Sequence, residues 1–118
     1  MLSKLKKIIE SRPVAFATSD GQGNPNLIAV ACCKVVGKNQ VLITDNFMKK
    51  TVKNLSANSS VALMFWDTKE RFGYQLKGNA KYLVSGKWAK AVKKLKENKG
   101  LPAKAAVLVT IKKIIPLC

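Results

Sequence analysis

Lys49, Lys50 and Thr51 follow Thr44-Asp45-Asn46-Phe47-Met48 and open a stretch of helical periodicity. Lysines in a first helical turn oppose the macrodipole, by roughly 0.3–1 kcal/mol each when exposed. They also stand beside N–H groups that have no partner within the helix. A bound anion removes the conflict, because phosphate is favoured by the N–H groups, the ammonium groups and a Thr hydroxyl together. Local rules broken in this way tend to mark functional sites, although two lysines facing water satisfy the sequence equally well. No acid–base pair accompanies them. The six acidic residues are scattered, and Asp45, the one near this segment, is expected to accept hydrogen bonds at the helix start rather than to move protons.

The elements that must position these residues follow from periodicity. Leu2, Leu5, Ile8 and Ile9 make one face of a short amphipathic helix over 2–11, which Pro13 ends. Val14–Ser19 reads as a strand, the Asp20–Pro25 run as a hairpin loop, and Asn26–Val36 as one long second strand. Gly37-Lys38-Asn39 turns the chain into a third strand, Gln40–Asp45. The helix over 47–57 has Met48, Val52 and Leu55 as its expected buried stripe. Ser60–Asp67 is so uniformly apolar that cover on both faces is expected, whereas Gly73–Val84 alternates and has one face in solvent. A lysine-rich helix over 87–99, striped by Trp88, Val92 and Leu95, closes at Gly100 and Pro102, and Lys104–Ile115 is the last strand. The order α-β-β-β-α-β-β-α-β predicts a mainly β fold: a six-stranded antiparallel barrel with flanking helices. Strands apolar on both faces also suggest that the outer face meets a helix or a second subunit.

With 118 residues the chain is read as a single domain, 1–118. No apolar run approaches the ~18 residues of a membrane span, and residues 1–12 lack the apolar block of a signal peptide, so a cytoplasmic location is expected. A formal charge of +16 implies an anionic partner without choosing one. Nucleic acid is the competing class, with Tyr74, Tyr82 and Trp88 as possible stacking residues. Trp88 lies on an apolar stripe, however, and no nucleic-acid signature is present, which argues against it. Without histidine or a CxxC pair, no metal site is expected, and Cys32, Cys33 and Cys118 form no evident disulfide framework.

The ordered series Asn24–Ala31, Val41–Asn46, Met48–Thr51, Asn54-Leu55, Asn58, Val61–Trp66 and Leu76–Ala80 resembles the flavin-binding split barrels related to pyridoxamine phosphate oxidase. In size and in the ending Ala103–Thr110, the chain is most similar to the short bacterial FMN-binding proteins of that group. The resemblance implies that Lys49, Lys50 and Thr51 grip the phosphate of FMN. It implies that Ile28, Ala29, Val30 and Ala31, with Ile43, Thr44 and Asp45, border the ring. It further implies a homodimer with the flavin near the subunit interface, serving as an oxidoreductase or an electron carrier. A deazaflavin or another phosphorylated cofactor on the same fold stays open. Two departures speak against oxidation of pyridoxamine phosphate itself. Gly73 stands where the oxidases carry a ring-touching Gln, and the chain stops at Cys118 before the oxidases' Arg- and His-bearing segment. Pro102 stands where the short FMN-binding proteins carry an aromatic near the partner's ring, so the resemblance does not extend to an aromatic lid there.

Overall fold

The computed structural model describes residues 2–117. Cys118 lies outside them. The order is α1 (Leu2–Glu10), β1 (Val14–Ser19), β2 (Pro25–Val30), β3 (Cys33–Val35), β4 (Gln40–Asp45), α2 (Lys50–Ala57), β5 (Ser60–Asp67), β6 (Phe72–Leu83), α3 (Lys87–Lys94) and β7 (Ala105–Pro116). A single 3-10 turn, Lys96–Asn98, follows α3. All strand pairs are antiparallel, in one sheet of order β2-β1-β5-β6-β7-β4-β3.

The expected second strand over 26–36 is two strands. β2 pairs with β1 at one edge of the sheet, and β3 pairs with β4 at the other. Only Ala31 and Cys32 separate them, a reach of about 10 Å at most. Both edges are therefore brought together by a two-residue corner, and the seven-stranded sheet must curl on itself. Curling gives each strand an inner face. Val14 and Phe16 of β1, Leu63 and Phe65 of β5, Leu76 of β6 and Val107 and Val109 of β7 fill the interior, joined by Leu2, Leu5 and Ile9 of α1. Glu10 accepts a hydrogen bond from the Val35 N–H at 2.8 Å, occupying one donor on edge strand β3.

A second, smaller cluster covers the outer face of β4 and β7, where Val92 of α3 meets Leu42, Ala106 and Leu108. The buried residues of α3 are Ala89 and Val92, with Trp88 only half-buried, and the helix ends at Lys94, short of the expected 99. Likewise α2 begins at Lys50 and buries Thr51, Asn54 and Leu55, while Met48 is buried ahead of the helix. Among the described residues no helix packs on the outer face of β2, β1 and β5. There Leu27 and Ala29 lie opposite Ala17 and Ala15, which lie opposite Ala62 and Met64. Leu27 is 69% exposed and Trp66 53%, so β5 is covered on one face only, contrary to its reading as a strand buried on both. Among the described residues no helix is long and apolar enough to cross a membrane.

The pairing of β6 with β7 shifts at Lys77 and Gly78, so that Gly78 faces Ile111, Lys77 faces Lys113 and Lys112 is the extra residue of a bulge. A Cβ at Gly78 would stand 1.9 Å from the Thr110 carbonyl oxygen. Only glycine allows this approach.

Candidate functional site

A cavity of about 520 Å³ lies between β2, the corner after it, the β4–α2 connection and the 3-10 turn. At one end stands the N-terminus of α2. Its cap residue, Lys49, makes no side-chain cap hydrogen bond, and the first turn holds no acidic residue. The helix therefore presents unpaired N–H groups beside two ammonium groups, the arrangement that favours an anion. Thr51 is buried and lines the cavity, and its hydroxyl accepts the Asn26 amide at 3.3 Å. The hydroxyl proton is left to donate elsewhere.

The connection from β4 to α2 is held by side chains. Asp45 is fully buried, and its Oδ1 accepts the Met48 N–H at 2.8 Å, the acceptor role expected of it. Its Oδ2 accepts the Tyr82 hydroxyl, and Lys104 Nζ lies 3.8 Å from Oδ1. Burial, then the hydrogen bond to Asp45, pushes the Tyr82 hydroxyl up to about 12. Asn46 accepts the Ala103 N–H at 2.7 Å, and the Asp45 carbonyl accepts the Lys104 N–H at 2.8 Å. The start of β7 thus clasps the residues that lead into the cationic end.

Cys32, Glu97, Asn98 and Leu101 also line the cavity. Lys34 donates to Glu97 in an ion pair that holds the Glu97 carboxyl below its ordinary range. Burial, and then the charge of Glu97, pushes the Cys32 thiol up. Cys32 is therefore a neutral thiol at neutral pH, not an activated nucleophile. The site can bind and orient an elongated anionic ligand. It shows no nucleophile–base pair.

Of the residues expected from sequence, Ile28, Ala29, Val30 and Ala31, Thr44, and Lys49, Lys50 and Thr51 border this one cavity. Ile43 and Asp45 do not. Residues alternate along β4, so Ile43 points into the closed interior, while Asp45 is fully buried beneath the connection. Sequence reasoning missed Asn26, Cys32, Asn46, Phe47, Met48, Glu97, Asn98 and Leu101. An asparagine inside an otherwise apolar strand was a usable signal for Asn26. Nothing local distinguished Glu97 or Asn98 from the surrounding lysine-rich stretch.

The family model for pyridoxamine 5'-phosphate oxidase matches residues 1–118. An uncharacterized protein of Methanocaldococcus jannaschii is 36% identical over 121 residues, which span 99% of this chain and 80% of that protein. Among solved structures, the HupZ protein of Group A Streptococcus superposes with a TM-score of 0.87 at 23% identity, covering 99% of this chain and 94% of its own. An FMN-binding protein of Syntrophomonas wolfei superposes with a TM-score of 0.82 at 19% identity, over 99% and 86% of the two chains. HutZ, a heme storage protein of Vibrio cholerae, gives 0.72 at 16% identity over 98% and 92%. At these identities the structural likeness establishes the fold alone.

Proposed function

The chain belongs to the pyridoxamine 5'-phosphate oxidase family, and from that premise we propose that it binds FMN in the cavity beside α2 and serves redox chemistry, as a small oxidoreductase or an electron carrier. The observation that carries this reading is the start of α2. It has no side-chain cap, and its Lys49, Lys50 and Thr51 line a cavity walled by β2 and Thr44. The two lysines, the Thr51 hydroxyl and the α2 N–H groups would hold the phosphate, and the Ile28–Ala31 segment would border the ring. FMN supplies electron transfer when bound, and the protein's part is to orient the ring and tune its potential. A structural relative that is itself an FMN-binding protein supports the reading. The sequence contains no histidine to serve as an axial haem ligand, and the cationic end is the recognisable feature of this site.

Gly73 argues for a reaction other than oxidation of pyridoxamine phosphate. A Cβ there would lie 2.6 Å from Leu117 Cδ1 and 2.8 Å from the Phe65 carbonyl oxygen. No side chain fits where the oxidases carry their Gln. The uncovered outer face, with Leu27, Met64 and Trp66, supports a homodimer, since a second copy would give it the cover that α3 gives β4 and β7. A cytoplasmic setting goes with this reading.

The test is direct. The protein purified from cells is expected to be yellow, with a flavin spectrum, and to release FMN on denaturation. Release of a deazaflavin would change the cofactor and keep the site. A colourless protein that also takes up no added FMN would overturn the reading.

A further inference from the structure

Phe47 is the most exposed large apolar side chain in the described chain, at 72%, and it lines the mouth of the cavity. Its outward position is imposed by its neighbours. On one side Asn46 turns inward, donating to Asn98 Oδ1 at 3.3 Å and accepting the Ala103 N–H at 2.7 Å. On the other side Met48 buries its side chain in the core, while its N–H is bonded to Asp45 at 2.8 Å and its carbonyl accepts Lys104 Nζ at 3.4 Å. With both neighbours anchored, Phe47 cannot rotate into the core without breaking these bonds. Leu101, also exposed, stands among the residues of the same mouth, and Ile28 and Val30 supply apolar wall.

We infer that Phe47 is a stacking residue for the planar ring of the ligand whose phosphate end is held at Lys49–Thr51. The inference rests on the FMN reading above and adds the residue that covers the ring. An aromatic side chain held beside a cavity with apolar walls and one cationic end matches a ligand that is flat and aromatic at one end and anionic at the other. Offset or edge-on packing of the two ring systems then gives Phe47 the burial it lacks in the single chain.

The test uses the full chain freed of ligand and titrated with FMN and with riboflavin, comparing Phe47→Leu and Phe47→Trp with the native protein. Phe47→Leu is expected to weaken both ligands by the same factor, about three- to tenfold, because the stack engages the ring and not the phosphate. Phe47→Trp is expected to shorten the fluorescence lifetime of bound flavin relative to Phe47→Leu; Trp66 and Trp88 are common to both, so the difference reports residue 47. If FMN binds and neither affinity nor lifetime moves, the inference fails while the FMN reading stands. A change in oligomeric state with flavin binding untouched would likewise overturn it, assigning Phe47 to a subunit contact. Native protein that takes up no FMN would remove both readings together.

Discussion

Asn98 donates through its amide to the Thr44 hydroxyl at 2.9 Å and to the Val92 carbonyl at 2.7 Å. One buried side chain thereby ties the turn after α3 to the end of β4, across 54 residues of sequence. Two cavity-lining residues, Glu97 and Leu101, flank or follow that tie. The wall of the cavity is therefore only as well placed as this amide. Asn98→Ala leaves the Thr44 and Val92 acceptors buried without their donor, at a cost of about 1–3 kcal/mol. The urea midpoint should fall accordingly with an unchanged slope. A midpoint that does not move would show that the turn is held by other contacts.

Gly78 tests the bulge. Its missing Cβ is what lets the Thr110 carbonyl approach, and that carbonyl belongs to a paired strand with little freedom to retreat. Gly78→Ala should therefore destabilise the chain by about 3 kcal/mol or more, or abolish folding. Gly37→Ala is the internal control, because its Cβ would meet nothing closer than Gln40 Oε1 at 3.7 Å. Thermal unfolding of the pair should separate them by many degrees, and equal melting temperatures would contradict the role given to the bulge.

The same contrast between local and distant causes explains what the sequence shows of this protein. The start of α2 is written locally, since two lysines and a threonine break a rule at a helix terminus wherever the rest of the chain goes. Alternation along β6 is also local, and its inner and outer faces follow from it. The corner at Ala31 and Cys32 is not, because neither residue is a turn former and apolar residues continue on both sides. What separates β2 from β3 is the competition of two distant partners, β1 and β4. β5 shows a further limit. Its uniform apolarity implies two covered faces, but the single chain covers only one. Asn98 and Glu97 reach the cavity only because α3 folds back over β4 and β7. Ile43 lies away from the cavity for a reason that is not local either, since the parity of β4 relative to the barrel interior is set by its pairing with β7.

Tyr82 makes the Asp45 anchor sensitive to alkali. Its hydroxyl is raised from the ordinary value near 10 to about 12, by burial and then by the bond to Asp45. A group whose folded pKa is raised contributes stability that is fully present below the unfolded pKa and lost as pH rises through the folded one. The native protein should thus lose stability relative to Tyr82→Phe between about pH 10 and 12, with a constant difference between the two at lower pH. Lysine titration is common to both chains and cancels. Parallel stability profiles across that window would show that folding does not raise the Tyr82 hydroxyl.

Lys50 carries the most direct test of the cationic end. If it pairs with a phosphate, Lys50→Ala should weaken FMN by about 1.5–3 kcal/mol, the range for a hydrogen bond to a charged group. Riboflavin has the same ring and no phosphate, so its affinity should be unchanged. The salt dependence of FMN binding should also decrease, because one exposed ionic contact is gone. Lys90→Ala, on the exposed face of α3, removes the same formal charge away from the cavity and should leave FMN affinity within about twofold of native. Equal losses in the two variants would mean that the net charge of +16 attracts the ligand without a specific contact. A loss confined to Lys50, and to the phosphorylated ligand, places the phosphate at the start of α2.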